Sequence, residues 1–202
     1  QSEKTRKAPR VTDQRPQGEP EDKVLIERFK RGDEAAFNMI VNRYSAKILT
    51  LCTYFLKDAE EAYDVAQEVF IKVHRSLGKF RGESKLSTWM HSIGVNTCKN
   101  RLAFWKRRSV RRKEYEHSKS VLHSYWTPED QAEASERVRI VREQILALPE
   151  KYRMVVILKD LKGLSYEEIA RVLQTQEGTV KSRLHRAREQ LAARLAPILR
   201  NG

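Results

Sequence analysis

Residues 164–191 read LSYEEIARVLQTQEGTVKSRLHRAREQL, and this stretch decides the architecture of the C-terminal part of the chain. Ser165 and Glu168 stand at capping-box spacing, so a helix is expected to begin just after Ser165. Ile169, Val172 and Leu173 give that short helix one apolar face. A turn is expected over Gln174–Gly178, with Thr175 as the N-cap of the next helix. In that helix Val180, Leu184, Ala187, Leu191 and Leu195 share one side. Lys181, Arg183, His185, Arg186 and Arg188 fall largely on the others. A short capped helix bracing a second, basic helix is the logic of a helix-turn-helix, whose second helix enters the major groove. Arginine suits bidentate contact with guanine, and either cation suits phosphate. An ordinary helical hairpin with a solvated charged face is the plain alternative.

Helical periodicity continues upstream. Val138, Val141, Ile145 and Leu148 outline one helix, Pro149 opens another, and Gly163 ends it. Nearer the start, Val24, Leu25, Ile26 and Phe29 outline a helix that Gly32 ends. Asp33 is placed to cap a second helix over 33–56, with Phe37, Ile40, Val41, Tyr44, Ile48, Leu51 and Phe55 at threes and fours. Asp58 with Glu61 resembles a capping box for a third helix over 58–77. Its stripe is Val65, Val69, Phe70, Val73 and Leu77. A fourth helix over 84–108 carries Leu86, Trp89, Met90, Ile93 and Leu102. No segment sustains a period of two. The expected fold is therefore all-α: two small helical domains joined by a flexible linker, the C-terminal one with the helix-turn-helix. The expected boundaries are a disordered arm over 1–21, a first domain over 22–105, a linker over 106–134 and a second domain over 135–200.

Composition narrows the function. Forty Lys and Arg against 27 Asp and Glu give a formal charge of +13 over 202 residues, which favours a polyanionic partner, nucleic acid first. Seven cations fall between Arg101 and Lys113 without an acid. Two isolated cysteines, Cys52 and Cys98, read as small core residues and fit a reducing, cytoplasmic setting better than a disulfide or a zinc site. No apolar run approaches the ~18 residues of a membrane span, so no membrane insertion is expected. There is no phosphate-cradling GxxxxGK[ST], no HExxH and no carboxylate pair beside a histidine. Neither a metal, a cofactor nor an activity as an enzyme is expected. Between Phe80 and Arg108 aromatics interleave with amides and cations. Trp89, Asn96 and Asn100 share a helical side flanked by Lys99 and Arg101. That suits unpaired bases, which stack on aromatics and bond to amides. It equally suits a core Trp89 with incidental asparagines.

The stretch DVAQEVFIKVHRSLGKFRG (64–82) resembles the polymerase-binding segment of the extracytoplasmic-function sigma factors, the sigma-E-like branch of the sigma-70 family. STWMHSIGVNTCKNR (87–101) resembles their minus-10-reading helix. LSYEEIA (164–170) with EGTVKSRLHRAR (177–188) resembles their minus-35-reading helix-turn-helix, and LPEKYR (148–153) the segment leading into it. The resemblance covers about residues 22–200 and implies a protein that binds core RNA polymerase and directs initiation at promoter DNA, held in check by an anti-sigma factor. It assigns polymerase docking to Asp64, Gln67, Glu68, Lys72 and Arg75. A base flipped out of the minus-10 element would enter the 78–86 loop, which holds Phe80 and Ser84; extruding a base costs a few kcal/mol. Trp89, Asn96, Lys99 and Asn100 would hold the opened strand, and Lys181, Ser182, Arg183, His185, Arg186 and Arg188 would meet the minus-35 duplex.

Some features depart from the family pattern. His185 stands where relatives often carry an aromatic, and Lys181 where many carry arginine, so the bidentate fork is missing there. The basic run after Arg101 is heavier than expected. Two other readings compete: a stand-alone helix-turn-helix regulator, which leaves 22–102 without a role, and an enzyme acting on nucleic acid, which lacks a catalytic constellation.

Overall fold

The computed structural model describes residues 20–109 and 136–200. Among these there are eight α-helices and no strand: α1 (Asp22–Lys30), α2 (Glu34–Leu56), α3 (Ala59–Leu77), α4 (Leu86–Ser109), α5 (Glu136–Ala147), α6 (Glu150–Val156), α7 (Tyr166–Leu173) and α8 (Glu177–Arg200). The arm proposed over 1–21 and the linker proposed over 106–134 lie almost wholly outside the described residues. The exceptions are at their edges: α4 runs on through Ser109, into the stretch assigned to the linker.

Helices α1 to α4 form the first unit. The Asp22 carboxylate pins α1 to α2 by accepting from Arg43 Nη1 and Tyr44 Oη, each at 2.6 Å. The α1–α2 turn uses Gly32 at φ +92°, where a side chain would be strained. Asp33 caps α2 through Ala35 N at 3.0 Å, and its carboxyl is held below the usual range chiefly by the hydrogen bond from Arg28. Asp58 accepts from Glu61 N at 3.0 Å, so it caps α3. This is the one-way half of the capping box expected there. The α3 stripe at Val65, Val69, Val73 and Leu77 is fully buried against Ile40, Ile48, Leu51 and Phe55 of α2. Phe70 lies at its margin.

At Gly94, α4 lies close against α2. A Cβ there would stand 3.0 Å from Leu51 Cδ2, and Leu51 is itself fully buried. Gly94→Val should therefore overpack this contact and cost about 1–3 kcal/mol. The expected observation is a lower urea midpoint at unchanged slope. Cys52, next to Leu51, and Cys98, one turn after Gly94, are both buried free thiols. The Cys98 thiol is pushed up, first by its hydrogen bond with Cys52 and then by burial.

The second unit is α5 to α8. Pro149 precedes α6, and α6 widens at its end into one π-helical turn, Ile157–Leu161. Gly163 at φ +71° ends it. The capping box of α7 is complete: Glu168 N donates to Ser165 Oγ at 3.1 Å, and Ser165 N to Glu168 Oε2 at 2.8 Å.

The two units are docked. Helix α4 packs on α7, and the buried residues of both units form one continuous cluster. Arg153 of α6 is buried and donates to three carbonyls: Leu146 O at 3.2 Å, Leu148 O at 3.1 Å and, across the junction, Phe55 O at 3.2 Å. Thr88 Oγ1 donates to Glu168 Oε1 at 2.9 Å, and Lys99 Nζ to Leu173 O at 3.3 Å.

Candidate nucleic-acid interface

The helix-turn-helix is built as its sequence requires, with one shift. The left-handed residue that turns the chain after α7 is Gln174, at φ +53°. Gly178 already lies inside α8. Helix α8 begins at Glu177, so its N-cap is Gln176, whose carbonyl accepts from Thr179 N and Val180 N, and not Thr175. Thr175 N instead closes α7 by donating to Ala170 O at 3.0 Å. A glutamine can take the left-handed turn because Ala170 and Arg171 carbonyls receive its N–H and the next one.

Val180, Leu184 and Ala187 are buried, as the periodicity demands, and Leu191 packs against the same core. Lys181, Ser182, His185, Arg186 and Arg188 are exposed, and Arg183 is half-buried. Their partners differ. Lys181 pairs with Glu177 at 2.7 Å, and its pKa is raised mainly by that hydrogen bond. The same ammonium lies 5.5 Å from the Tyr166 ring centroid. His185 stands 3.4 Å from Glu189. Arg186 reaches the Tyr152 hydroxyl, and that contact is the largest influence holding the Tyr152 pKa down. Arg188 turns back to Asp160 in the π-turn, with Nη2 to Oδ1 at 2.6 Å and Nε to Oδ2 at 3.4 Å. The π-turn thus brings an acid up to the second helix, and Arg188, though exposed, is paired with the scaffold.

In the first unit the sequence-expected set divides. Phe80 leaves the loop to lie against Trp89, ring centroids 5.0 Å apart and tilted by 48°. Both rings are half-buried, and Phe80 lines the open cleft beside α4. Ser84 and Asn96 are half-buried, and Asn100 is exposed. Lys99 points to the second unit through its bond to Leu173 O, and with Arg183 it lines a small cleft between the units. Burial together with the neighbouring Arg183 lowers its pKa, against the pull of Glu150.

On α3, Asp64, Gln67 and Arg75 are exposed. Glu68 and Lys72 are half-buried and paired at 2.7 Å, with Arg101 3.5 Å from Glu68 and Lys72 Nζ 3.1 Å from Thr97 Oγ1. This network ties α3 to α4, and Lys72 holds the Glu68 carboxyl below its usual range. Tyr63 and Ile71, 57% and 51% exposed, complete a stripe with Gln67 and Arg75 at every fourth position. The sequence reading missed both. Apolar side chains standing opposite a buried stripe are the signal that marks them.

The reading also missed His91. It is 4% exposed, and neither ring nitrogen has a hydrogen-bond partner. Burial, then Lys162 and Lys47, push its pKa down to about 4. Its spacing from Gly94, Val95 and Cys98 puts it on the inward side of α4, and that spacing is legible in the sequence. Among the described residues no cluster of His, Cys, Asp or Glu is arranged to hold a metal, and no helix is long and apolar enough to cross a membrane.

The family model for Sigma-70 region 2 matches residues 40–109, and that for Sigma-70 region 4 matches 139–191. The chain is 42% identical over 186 residues to the RNA polymerase sigma-H factor of Pseudomonas aeruginosa, covering 89% of this chain and 96% of that one. It is 40% identical over 186 residues to the ECF RNA polymerase sigma-E factor of Escherichia coli K12, with the same coverage. Among solved structures, the sigma factor RpoE in complex with the anti-sigma factor NepR from Bartonella quintana superposes with a TM-score of 0.69. It is 21% identical and covers 79% of this chain and 96% of that one, a likeness of fold.

Proposed function

The chain belongs to the extracytoplasmic-function sigma factors of the sigma-70 family, and from that premise we propose how its surfaces divide the work of promoter recognition. As an ECF sigma factor it binds core RNA polymerase and directs promoter-specific initiation, recognising minus-35 and minus-10 elements and helping to melt the DNA. The α3 stripe around Asp64, Gln67 and Arg75, with Tyr63 and Ile71, is our choice for the polymerase-binding surface. Glu68 and Lys72 hold that helix to α4 and contribute at its edge. The Phe80–Trp89 pair, with Ser84, Asn96, Lys99 and Asn100, is assigned to the opened minus-10 strand. The outer side of α8, led by Arg183 and Arg186, is assigned to the minus-35 duplex, with Lys181, Ser182 and His185 beside it and Arg188 as a bracing residue. The expected setting is the cytoplasm, with no catalytic activity of the chain's own. An anti-sigma factor is the expected regulatory partner, by analogy with the RpoE–NepR complex.

The observation that carries this reading is that a half-buried aromatic pair, Phe80 of the 78–86 loop against Trp89 of α4, and a basic helix-turn-helix at α7–α8 stand on two separate units of one chain. A stand-alone regulator needs only the second. The test is run-off transcription from a promoter library, with core polymerase in the presence and absence of the protein. Transcripts sharing a two-part element at fixed spacing are the expected result. Unchanged transcription by a protein that still binds duplex DNA would move the assignment to a stand-alone regulator. Direct DNA affinity should fall with salt at a log–log slope of about −0.9 per phosphate contacted. A flat response would remove the assignment of the α8 cations.

A further inference from the structure

The docked arrangement cannot be the one that reads a promoter. Elements centred about 25 base pairs apart are separated by about 85 Å along B-form DNA. Here Lys99 of α4 bonds to a carbonyl of α7, the first helix of the helix-turn-helix, at 3.3 Å. Thr88, on the same face of α4, is buried with its hydroxyl on Glu168. The units must part before both elements can be engaged at once.

The junction contains one group that is badly served while the units stay together. His91 lies on α4 between Thr88 and Gly94, buried beside α7, with both ring nitrogens orphaned. A neutral imidazole has one N–H and one lone pair to satisfy, and leaving either dry is costly. Protonated, it would bury a charge and two unpaired donors, which is worse. Its charged neighbours come from every element around it. Lys47 projects from α2 and Lys162 from the loop after the π-turn, with Lys162 Nζ donating to Lys47 O at 3.2 Å. Glu168 of α7 is the one acid acting on it. Lys85 precedes α4 and acts on Glu168. Across the cleft, α1 contributes Asp22, Lys23, Glu27 and Lys30. Two nearby ammonium groups outweigh one carboxylate that already caps α7 and takes the Thr88 hydroxyl.

We infer that His91 is an acid-sensitive latch: its neutral ring permits the closed, promoter-incompetent form, and its protonation drives the two units apart. The inference rests on reading α4 and α8 as the two promoter-reading helices, but the opening itself does not depend on any promoter. The sign follows from linkage. In the closed form the pKa is about 4, against an ordinary value of 6.5 once the ring is hydrated. The open form therefore binds the proton more tightly, and acid favours opening. Full closure is available above pH 6.5 and is lost progressively as the pH falls towards 4. Between pH 7.5 and 5.5 the ratio of closed to open should drop about tenfold.

The test uses the full chain carrying a donor and an acceptor dye on exposed positions of α3 and α8, read by energy transfer at pH 7.5 and 5.5. Small-angle scattering on the unlabelled chain serves as a check. The wild type should open by about tenfold on acidification. His91→Leu and His91→Gln, neither of which titrates, should show no such change. Two variants guard against one failing to fold, and the other four histidines remain in both. As a third readout, the wild-type proton spectrum should contain an imidazole, absent from both variants, that titrates below 6.5. A wild type indifferent to pH, units apart at both values, or variants that open as the wild type does would each overturn the latch. Failure of promoter-specific transcription would instead count against the functional reading and leave the distances untouched.

Discussion

Arg153→Met should destabilise the protein by about 3 kcal/mol, and it should also uncouple its two halves. The guanidinium is buried and hydrogen-bonded to Leu146 O, Leu148 O and Phe55 O. Methionine fills a similar volume but donates nothing. Each buried carbonyl left unmet costs about 1–3 kcal/mol, and three are at stake. Part of that is offset, because the native state already carries a desolvated cation with its Nε unpaired. Burial lowers the Arg153 pKa, while Glu150 acts in the opposite direction. Leu146 and Leu148 belong to Arg153's own unit, and Phe55 O, at the end of α2, belongs to the other, so part of the loss falls on the contact between the units. Urea unfolding followed by one probe on α3 and another on α8 gives the measurement. Coincident transitions are expected for the wild type, and for the variant a lower midpoint with the two curves parted. Arg153→Lys should fall between, because one ammonium cannot serve three carbonyls in the guanidinium's fork. Coincident curves in the methionine variant would mean that Arg153 only supports its own unit. The substitution should also raise the pKa of Lys57, which desolvation first and then Arg153 and Arg194 hold down to about 8.

What the sequence made legible was local. The stripe Val65, Val69, Val73 and Leu77 names its own helix, and the Ser165–Glu168 box names the start of another, because both signals live within one or two turns of chain. Left-handed Gln174 was harder: glycine is the usual residue there, and Gly178 carried the end of the expected turn past Glu177, where α8 begins. The π-turn at 157–161 leaves no trace in a 3.6-residue pattern, yet it carries Asp160 to Arg188 and so pairs one of the exposed cations of α8. The docking of the units was least legible. Thr88 with Glu168, and Arg153 with Phe55, are contacts between residues 80 and 98 positions apart. Nothing in the periodicity of either partner announces the other. The polar residues in these contacts read as surface until the opposite unit is put over them. His91 is the intermediate case. Its inward register was visible, but a histidine on an apolar face is ordinarily satisfied, and only the surrounding structure reveals that this one is not.

Arg186→Ala should weaken binding to a minus-35 duplex by about 10- to 100-fold, the 1–3 kcal/mol typical of a base-reading arginine, while leaving core polymerase binding intact. Arg186 is exposed on α8, away from the buried Val180–Leu184–Ala187 side, and its near neighbour is the Tyr152 hydroxyl rather than an acid. It therefore reaches DNA without first breaking an ion pair. Arg188 is the built-in contrast. To meet DNA it would have to leave the 2.6 Å contact with Asp160. Arg188→Ala should accordingly change affinity several-fold less than Arg186→Ala, by loosening α8 against the π-turn. Anisotropy titrations over a salt series separate the roles. Loss of a phosphate contact lowers the slope by about one and weakens all sequences alike, whereas loss of a base contact relaxes preference at one position. Core binding, followed by co-elution on size exclusion, should be unchanged in both variants, because the α3 stripe lies on the other unit. If Arg186→Ala abolished core binding together with minus-35 recognition, the division of labour between α3 and α8 would be wrong. If Arg188→Ala proved the more damaging, Asp160 would be a gate that releases its arginine to DNA, and the π-turn would belong to the reading surface itself.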